Sequence, residues 1–275
     1  MKKSLFFWIL AVIVTVGAAM YQRRTGPTYP LDGKFLLNGK EIKYELDRSH
    51  PGETNHIVKI ETNDETISGY VEWKRYKTSD EWMRVPMVYK SGTLSAELPQ
   101  QPPAGKLEYR LTLQDANQTL TLPEKNAVVI RFRGEVPAAV LIIHVALMFI
   151  GLVVSTRSGL EFFSKETNLK KLIILTIGLF VAGGLIFGPI VQKYAFGAYW
   201  TGWPFGGDLT DNKTAAMVIL WVIAGIALRK SKNPKRWALA AAVLTLVVYT
   251  IPHSVLGSEL DYSKVDVHKT AMISE

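Results

Sequence analysis

The sequence predicts an α+β membrane protein: an N-terminal transmembrane helix, then an extracytoplasmic all-β sandwich, then a four-helix transmembrane bundle. Three observations predict it. The chain is 48% hydrophobic with a mean hydropathy of +0.12, and the apolar excess is gathered into uncharged runs at 4–22, 136–156, 172–192, 214–228 and 237–258. Between the first and second runs, the helical pattern gives way to short alternating segments broken by Gly, Pro, Asn and Asp. The charge is also segregated. Of the net +8, the short segments 1–3, 155–171 and 229–236 hold 11 Lys/Arg against 2 Asp/Glu, whereas 21–135 is nearly balanced at 17 against 16.

About 20 apolar residues cross roughly 30 Å of hydrocarbon as a helix. Four of the five runs are long enough. The fourth, 214–228, covers only about 22 Å at 1.5 Å per residue, so Lys213 is expected to snorkel or the preceding loop to enter the membrane. The basic excess in the short connections is the positive-inside pattern, and it excludes nucleic acid as the reason for the charge. It orients the chain in the inner cell membrane with five spans, the N-terminus cytoplasmic, and the β-domain and C-terminal tail extracytoplasmic. Four regions follow: an anchor at 1–24, a β-domain at 25–134, helices at 135–258 with an outer loop at 193–213, and a tail at 259–275.

The first run follows Lys2 and Lys3 and reads either as a signal peptide, with Val16-Gly17-Ala18 as its cleavage site, or as an uncleaved anchor. Its length favours the anchor. In the β-domain, strands are expected at 41–47, 56–62, 67–76, 82–89, 93–98, 107–113, 119–122 and 127–133. Leu107, Tyr109, Leu111 and Leu113 fall on one face of the sixth and Glu108, Arg110 and Thr112 on the other, as a half-buried antiparallel strand requires. Seven or eight such strands in about 110 residues fit a two-sheet sandwich. The chain has no Cys, so this domain holds together without disulfides, and thiolate nucleophiles and Cys metal sites are excluded.

The runs VEWKRY (71–76) and GTLSAELPQQPPAGKLEYRLTLQD (92–115) resemble fibronectin type III and immunoglobulin-like domains, where a strand Trp lies in the core and a Tyr follows a Pro/Gly-rich corner. The resemblance covers roughly 40% of the chain and implies a binding or spacing module. It would make Trp73 the core aromatic and Tyr109 the corner tyrosine; the absence of a Cys pair favours the fibronectin side. It implies no chemistry.

The candidate site gathers on the outer side of the helical region. The stretch 188–213 has five glycines with Pro189 and Pro204, and six aromatics crowd it: Tyr194, Phe196, Tyr199, Trp200, Trp203 and Phe205. That much ring surface and backbone freedom predicts a loop packed at the membrane interface, either as an aromatic belt or as a stacking platform for a quinone or porphyrin. Gly183-Gly184 would admit a close helix, and Gly188-Pro189 is expected to kink or end the third span. His144 is the ionisable group within the second span, about 10 Å below its outer end at 1.5 Å per residue. Its imidazole needs a partner, whether a cofactor or a neighbouring carbonyl.

Asp208, Thr210, Asp211 and Asn212 read either as oxygen donors for a hard cation or as an N-cap supplied by Asp211 or Asn212. Beyond the fifth span, Pro252 loosens the helix, and His253 emerges with Ser254, Glu259 and Asp261. Adjacent residues of one turn point apart, which weighs against a hydrolase set there. His268 lies in the polar tail and reads equally as a solvated side chain or as a third ligand. No phosphate loop, Walker motif or HExxH occurs.

Two functions are therefore open. One is a binding or accessory protein whose outer pocket (His144, Lys193, Tyr194, Trp200, Trp203, Asp208, Asp211, His253, Glu259 and Asp261) receives a small ligand, or a membrane or extracytoplasmic protein partner. The other is an electron-transfer subunit holding b-type haem, another metal or quinone through His144 and His253, at depths of roughly 18 and 24 Å from their inner helix ends. The topology itself is testable. A cysteine introduced at Ser231 is expected to stay unreactive toward a membrane-impermeant thiol reagent in intact cells and to react once the cells are opened; labelling in intact cells would overturn the orientation.

Overall fold

In a computed structural model, residues 2–165, 168–253 and 255–264 are described; Ser254 and His268 lie outside them. The chain forms two units: a helical one from Met1–Pro27 and Val136–Ser258, and a β unit from Thr28–Glu135 together with the segment that begins at Glu259.

The helical unit contains α1 (Lys2–Thr25), α2 (Ala138–Leu160), α3 (Leu169–Phe180), α4 (Gly188–Phe196), α5 (Leu209–Lys230) and α6 (Pro234–Thr250). Among the described residues four helices are long and apolar enough to cross a membrane: Ser4–Thr25, Ala138–Phe163, the continuous Leu169–Phe196, and Leu209–Lys230. The fifth, α6, has 17 residues and stops two positions short of Pro252, where the residue before a proline leaves the helical region. Packing rests on small residues, because between helices in lipid close approach replaces the hydrophobic drive. A methyl group on Gly159 of α2 would stand 2.5 Å from the Ala242 Cβ of α6. Trp221 is the largest fully buried side chain, and its indole N–H donates to the Thr245 hydroxyl at 3.0 Å. The N-terminal helix is part of this unit, contacting α2 and α6.

Gly188-Pro189 does not end the third span. The helix passes through a wider, π-type turn over Val181–Phe187, in which the Gly188 amide reaches back to the Gly183 carbonyl, and continues as α4 to Phe196. Pro189 lies just past the wider turn, inside the continuous helix, where its missing N–H leaves one gap in the bond ladder. The connection is shorter than the expected 193–213: Lys193–Phe196 belong to α4 and 209–213 to α5, leaving 197–208 as loop.

Among the described residues the β unit has eleven strands in three sheets. β1 (Leu31–Leu37) and β2 (Lys40–Leu46) form a hairpin. β3 (Ser49–Pro51), β5 (Ser68–Arg75), β6 (Met83–Pro86), β9 (Lys106–Gln114), β10 (Thr119–Leu122) and β11 (Val128–Arg133) form the largest sheet, ordered β3-β11-β9-β5-β6 with β10 also on β9. β4 (His56–Glu61), β8 (Thr93–Leu98) and β7 (Val88–Lys90) form the third. One apolar core unites them, an arrangement compatible with a sandwich. Inward residues of β4 (Val58, Ile60), of β8 (Leu94, Leu98) and of β9 (Leu107, Leu111, Leu113) belong to it.

Seven of the eight expected strands recur within a residue or two at either end. β1 and β3 are additional, and 82–89 divides into β6 and β7 at Met87. Trp73 is only partly buried and packs against the core from its edge; Val71, fully buried on the same strand, is the core residue. Tyr109 is fully buried, but its hydroxyl donates to the Asp47 carbonyl at 2.8 Å, far away in sequence rather than a few residues upstream as in a tyrosine corner. Burial pushes its phenol well above its ordinary value, so it stays a donor.

The segment after Ser258 is a strap on the β unit. The Leu260 amide donates to the Ala104 carbonyl at 3.1 Å, and the Tyr262 hydroxyl donates to the Lys106 carbonyl and accepts from the Lys106 amide, both at 2.9 Å. Glu259 joins Lys77 and Lys106, each at 3.0 Å. Burial works against its charge, yet the two ammonium groups outweigh burial and hold the carboxyl below its ordinary value of 4.5. A depressed carboxyl stabilises fully above that ordinary value and loses the contribution as pH falls through the lower folded value. Protection of the Leu260 amide, its exchange corrected for the intrinsic pH dependence of the amide, is therefore expected to fall when the protein is acidified below about pH 4.5, and Glu259→Gln should abolish that acid dependence. Protection indifferent to both changes would remove the ion pairs from the strap's stability.

Candidate functional site

In the helical unit the polar side chains converge where α4, the 197–208 loop, the start of α5 and the end of α6 meet. Asp211 is 7% exposed, and its Oδ2 accepts the Thr201 amide at 2.7 Å and the Gly202 amide at 2.9 Å. The neighbouring Asn212 Oδ1 accepts the Trp203 amide at 2.7 Å. Two consecutive side chains on the first turn of α5 thus hold three consecutive amides of the loop. Gly202 is required there, since a Cβ would meet the Asp211 Cβ at 2.6 Å. Gln192 of α4 donates to the Thr201 hydroxyl, which also bonds the Ser258 hydroxyl at 2.9 Å.

Asp208 is the N-cap of α5, its Oδ1 accepting the Thr210 amide at 2.8 Å, while Oδ2 accepts the Ser258 amide at 2.9 Å and its hydroxyl at 3.0 Å. The capping role therefore falls to Asp208 rather than to Asp211 or Asn212, whose carboxylate and amide face backward to the loop. Among the described residues, no three His, Cys, Asp or Glu side chains are grouped to hold a metal ion.

Lys213, instead of snorkelling outward, is 5% exposed and donates to the Tyr249 and Ile251 carbonyls. Those carbonyls lie at the C-terminal end of α6, where a helix has unpaired acceptors and its dipole favours a cation. Gln22 of α1 donates to the same Tyr249 carbonyl. The lost helical bonds near Pro252 are thereby replaced by side chains from two other helices.

The His144 Nδ1–H donates to the Gly183 carbonyl at 2.8 Å, inside the π-type turn. Its partner is a neighbouring helix carbonyl, and among the described residues none bonds Nε2. His253 stands edge-on to Tyr249 at 6.4 Å between ring centroids. Lys193 donates to the Gly197 carbonyl at 2.7 Å and lies 5.5 Å over Tyr199; Trp200 donates to the Trp203 carbonyl at 3.1 Å. Tyr194 is exposed on α4, and Trp203 and Phe205 project furthest, at 78% and 81% exposed. Of the ten candidate residues, eight sit in this unit. Glu259 belongs to the strap, and exposed Asp261 turns to Ser263 and Lys264 at 2.6 and 3.1 Å.

One buried charge pair lay outside the expected set. Arg157 and Glu161, placed by charge counting in a cytoplasmic loop, are 5% and 1% exposed at the C-terminal end of α2 and meet at 2.6 Å. The guanidinium also faces the Phe7 and Trp8 rings of α1 at 5.5 and 5.6 Å. The spacing i, i+4 of opposite charges was the signal available in sequence. Comparisons with protein families, with characterised proteins and with solved structures return no match.

Removing the Asp211 carboxylate orphans two loop amides, each costing about 1–3 kcal/mol when buried. Asp211→Ala is expected to lower the thermal midpoint in detergent and to speed hydrogen exchange at Thr201 and Gly202, with Asp211→Asn recovering part of both through its remaining carbonyl. Unchanged exchange at those two amides would show that the loop is held by something else.

Proposed function

We propose that this chain is an integral inner-membrane binding or accessory protein, non-catalytic in itself. It displays an immunoglobulin- or fibronectin-like sandwich outside the cytoplasm and offers the 197–208 loop to another membrane or extracytoplasmic protein. The segregation of basic residues supports the orientation, and the tight alternation of β4 supports the sandwich. One observation carries the binding reading: Trp203 and Phe205 are exposed at 78% and 81%, on a backbone that Asp211 and Asn212 hold fixed. Rings held outward on a rigid backbone lose little conformational entropy on binding, the property that makes aromatic side chains anchors of interfaces.

A second reading has its own support. His144 with Nδ1 on a backbone carbonyl and Nε2 available has the disposition of an axial haem ligand. This makes an electron-transfer subunit with b-type haem, or a quinone site beside the rings, the alternative.

Photocrosslinkers placed at Trp203 and Phe205 in native membranes should both trap the same protein species, and Asp211→Ala should reduce that yield several-fold. Adducts to lipid alone would overturn the partner reading and leave the rings as an interfacial belt. An absorbance spectrum of the purified protein decides the second: a Soret band lost in His144→Ala would replace the first reading.

A further inference from the structure

The β unit holds a pair of histidines that the functional reading does not use. His50, on β3, and His56, at the start of β4, bring their rings to 5.1 Å between centroids, with the two Nδ1 atoms facing at 3.3 Å. An oxygen stands behind each ring. His50 Nε2 is 3.0 Å from the Thr54 hydroxyl, and His56 Nε2 is 3.9 Å from the Asp47 carboxylate. The His50 ring packs against Phe132 at 5.5 Å and the His56 ring against Tyr109 at 6.4 Å. The pair lines a concavity of about 420 Å³ that Asp47, Thr54 and Asn55 also border.

The negative charge of Asp47 favours a proton on the His56 Nε2, and the Thr54 hydroxyl can accept one from the His50 Nε2. In those tautomers the two Nδ1 lone pairs meet at 3.3 Å, whereas with a proton on either Nδ1 the same contact is a hydrogen bond between the rings. A shared cation resolves the contact. Two nitrogens bound to one tetrahedral Zn²⁺ at 2.0–2.1 Å are about 3.4 Å apart, and a metal-bound histidine ordinarily gives its other N–H to a carboxylate, carbonyl or hydroxyl oxygen.

We propose that His50 and His56 form a two-imidazole site for a divalent transition-metal ion of the Zn²⁺ type, bound through both Nδ1 atoms. Asp47 and Thr54 orient the rings, and the remaining tetrahedral positions are open to water or to a donor from a partner. His56 is 5% exposed, so the ion enters from the His50 side, where Thr54 and Asn55 are exposed. The site is independent of the loop and of His144 and His253.

Zinc titration by calorimetry of the full, untagged chain in detergent, after removal of metal with chelator, tests it. The wild type should bind one ion saturably; His50→Ala should weaken that binding at least 10-fold. Asp47→Asn, which keeps both imidazoles, should weaken it about 10- to 100-fold, as loss of an orienting partner does. His144, His253 and His268 are common to all variants and cancel. Should His56→Ala fail to fold, the other two variants still decide. Binding equal in wild type and His50→Ala, or no saturable binding in the wild type, would overturn the site and leave the pair as a hydrogen bond between rings.

Discussion

Within hydrocarbon, a backbone amide or carbonyl without a partner costs several kcal/mol, and a connection between spanning helices has many of them. The helical unit meets that constraint at one place. Asp211 and Asn212 take the amides of Thr201, Gly202 and Trp203, while Lys213 and Gln22 take the carbonyls that α6 frees where it stops before Pro252. Three consecutive residues of α5 thus serve both the loop before the helix and the end of the helix beside it. The exposure of Trp203 and Phe205 follows from this arrangement, since side chains that pinned the loop by their own packing would have to turn inward.

The membrane helices were legible because length and lack of charge suffice for them. Four of the five runs became helices of spanning length, and α6 broke where Pro252 stood. The β region was legible from alternation, best in β4 and β9, where every second side chain is buried. β1 was hidden by Gly33, Lys34 and its exposed Leu36, which blur the two-residue period; β3 is too short at three residues to show one.

Charged residues were the least legible, because composition tells how many charges there are but not which way they point. Lys213 and Arg157 both stood at the ends of apolar runs, where lysine and arginine usually reach for water. Each turned inward for a reason of tertiary structure: the open carbonyls of α6 for one, Glu161 and the α1 rings for the other. The oxygen cluster 208–212 was located correctly as a capping region, but the residue that caps is Asp208, because the helix begins at Leu209. Glu259 and Asp261 were grouped with the helical loop by sidedness alone, and their contacts lie in the β unit.

The strap makes the β unit discontinuous in sequence: its strands are complete by residue 133, but Tyr262 comes only after every helix. At the 5–20 residues per second of translation, that hydroxyl arrives roughly 6–25 s after the last strand. During that interval the Lys106 amide lacks the Tyr262 hydroxyl, although its carbonyl already accepts the Tyr76 amide at 3.0 Å. A chain that stalls before Tyr262 therefore has every strand of this unit named above but not the strap that bonds to Ala104 and Lys106.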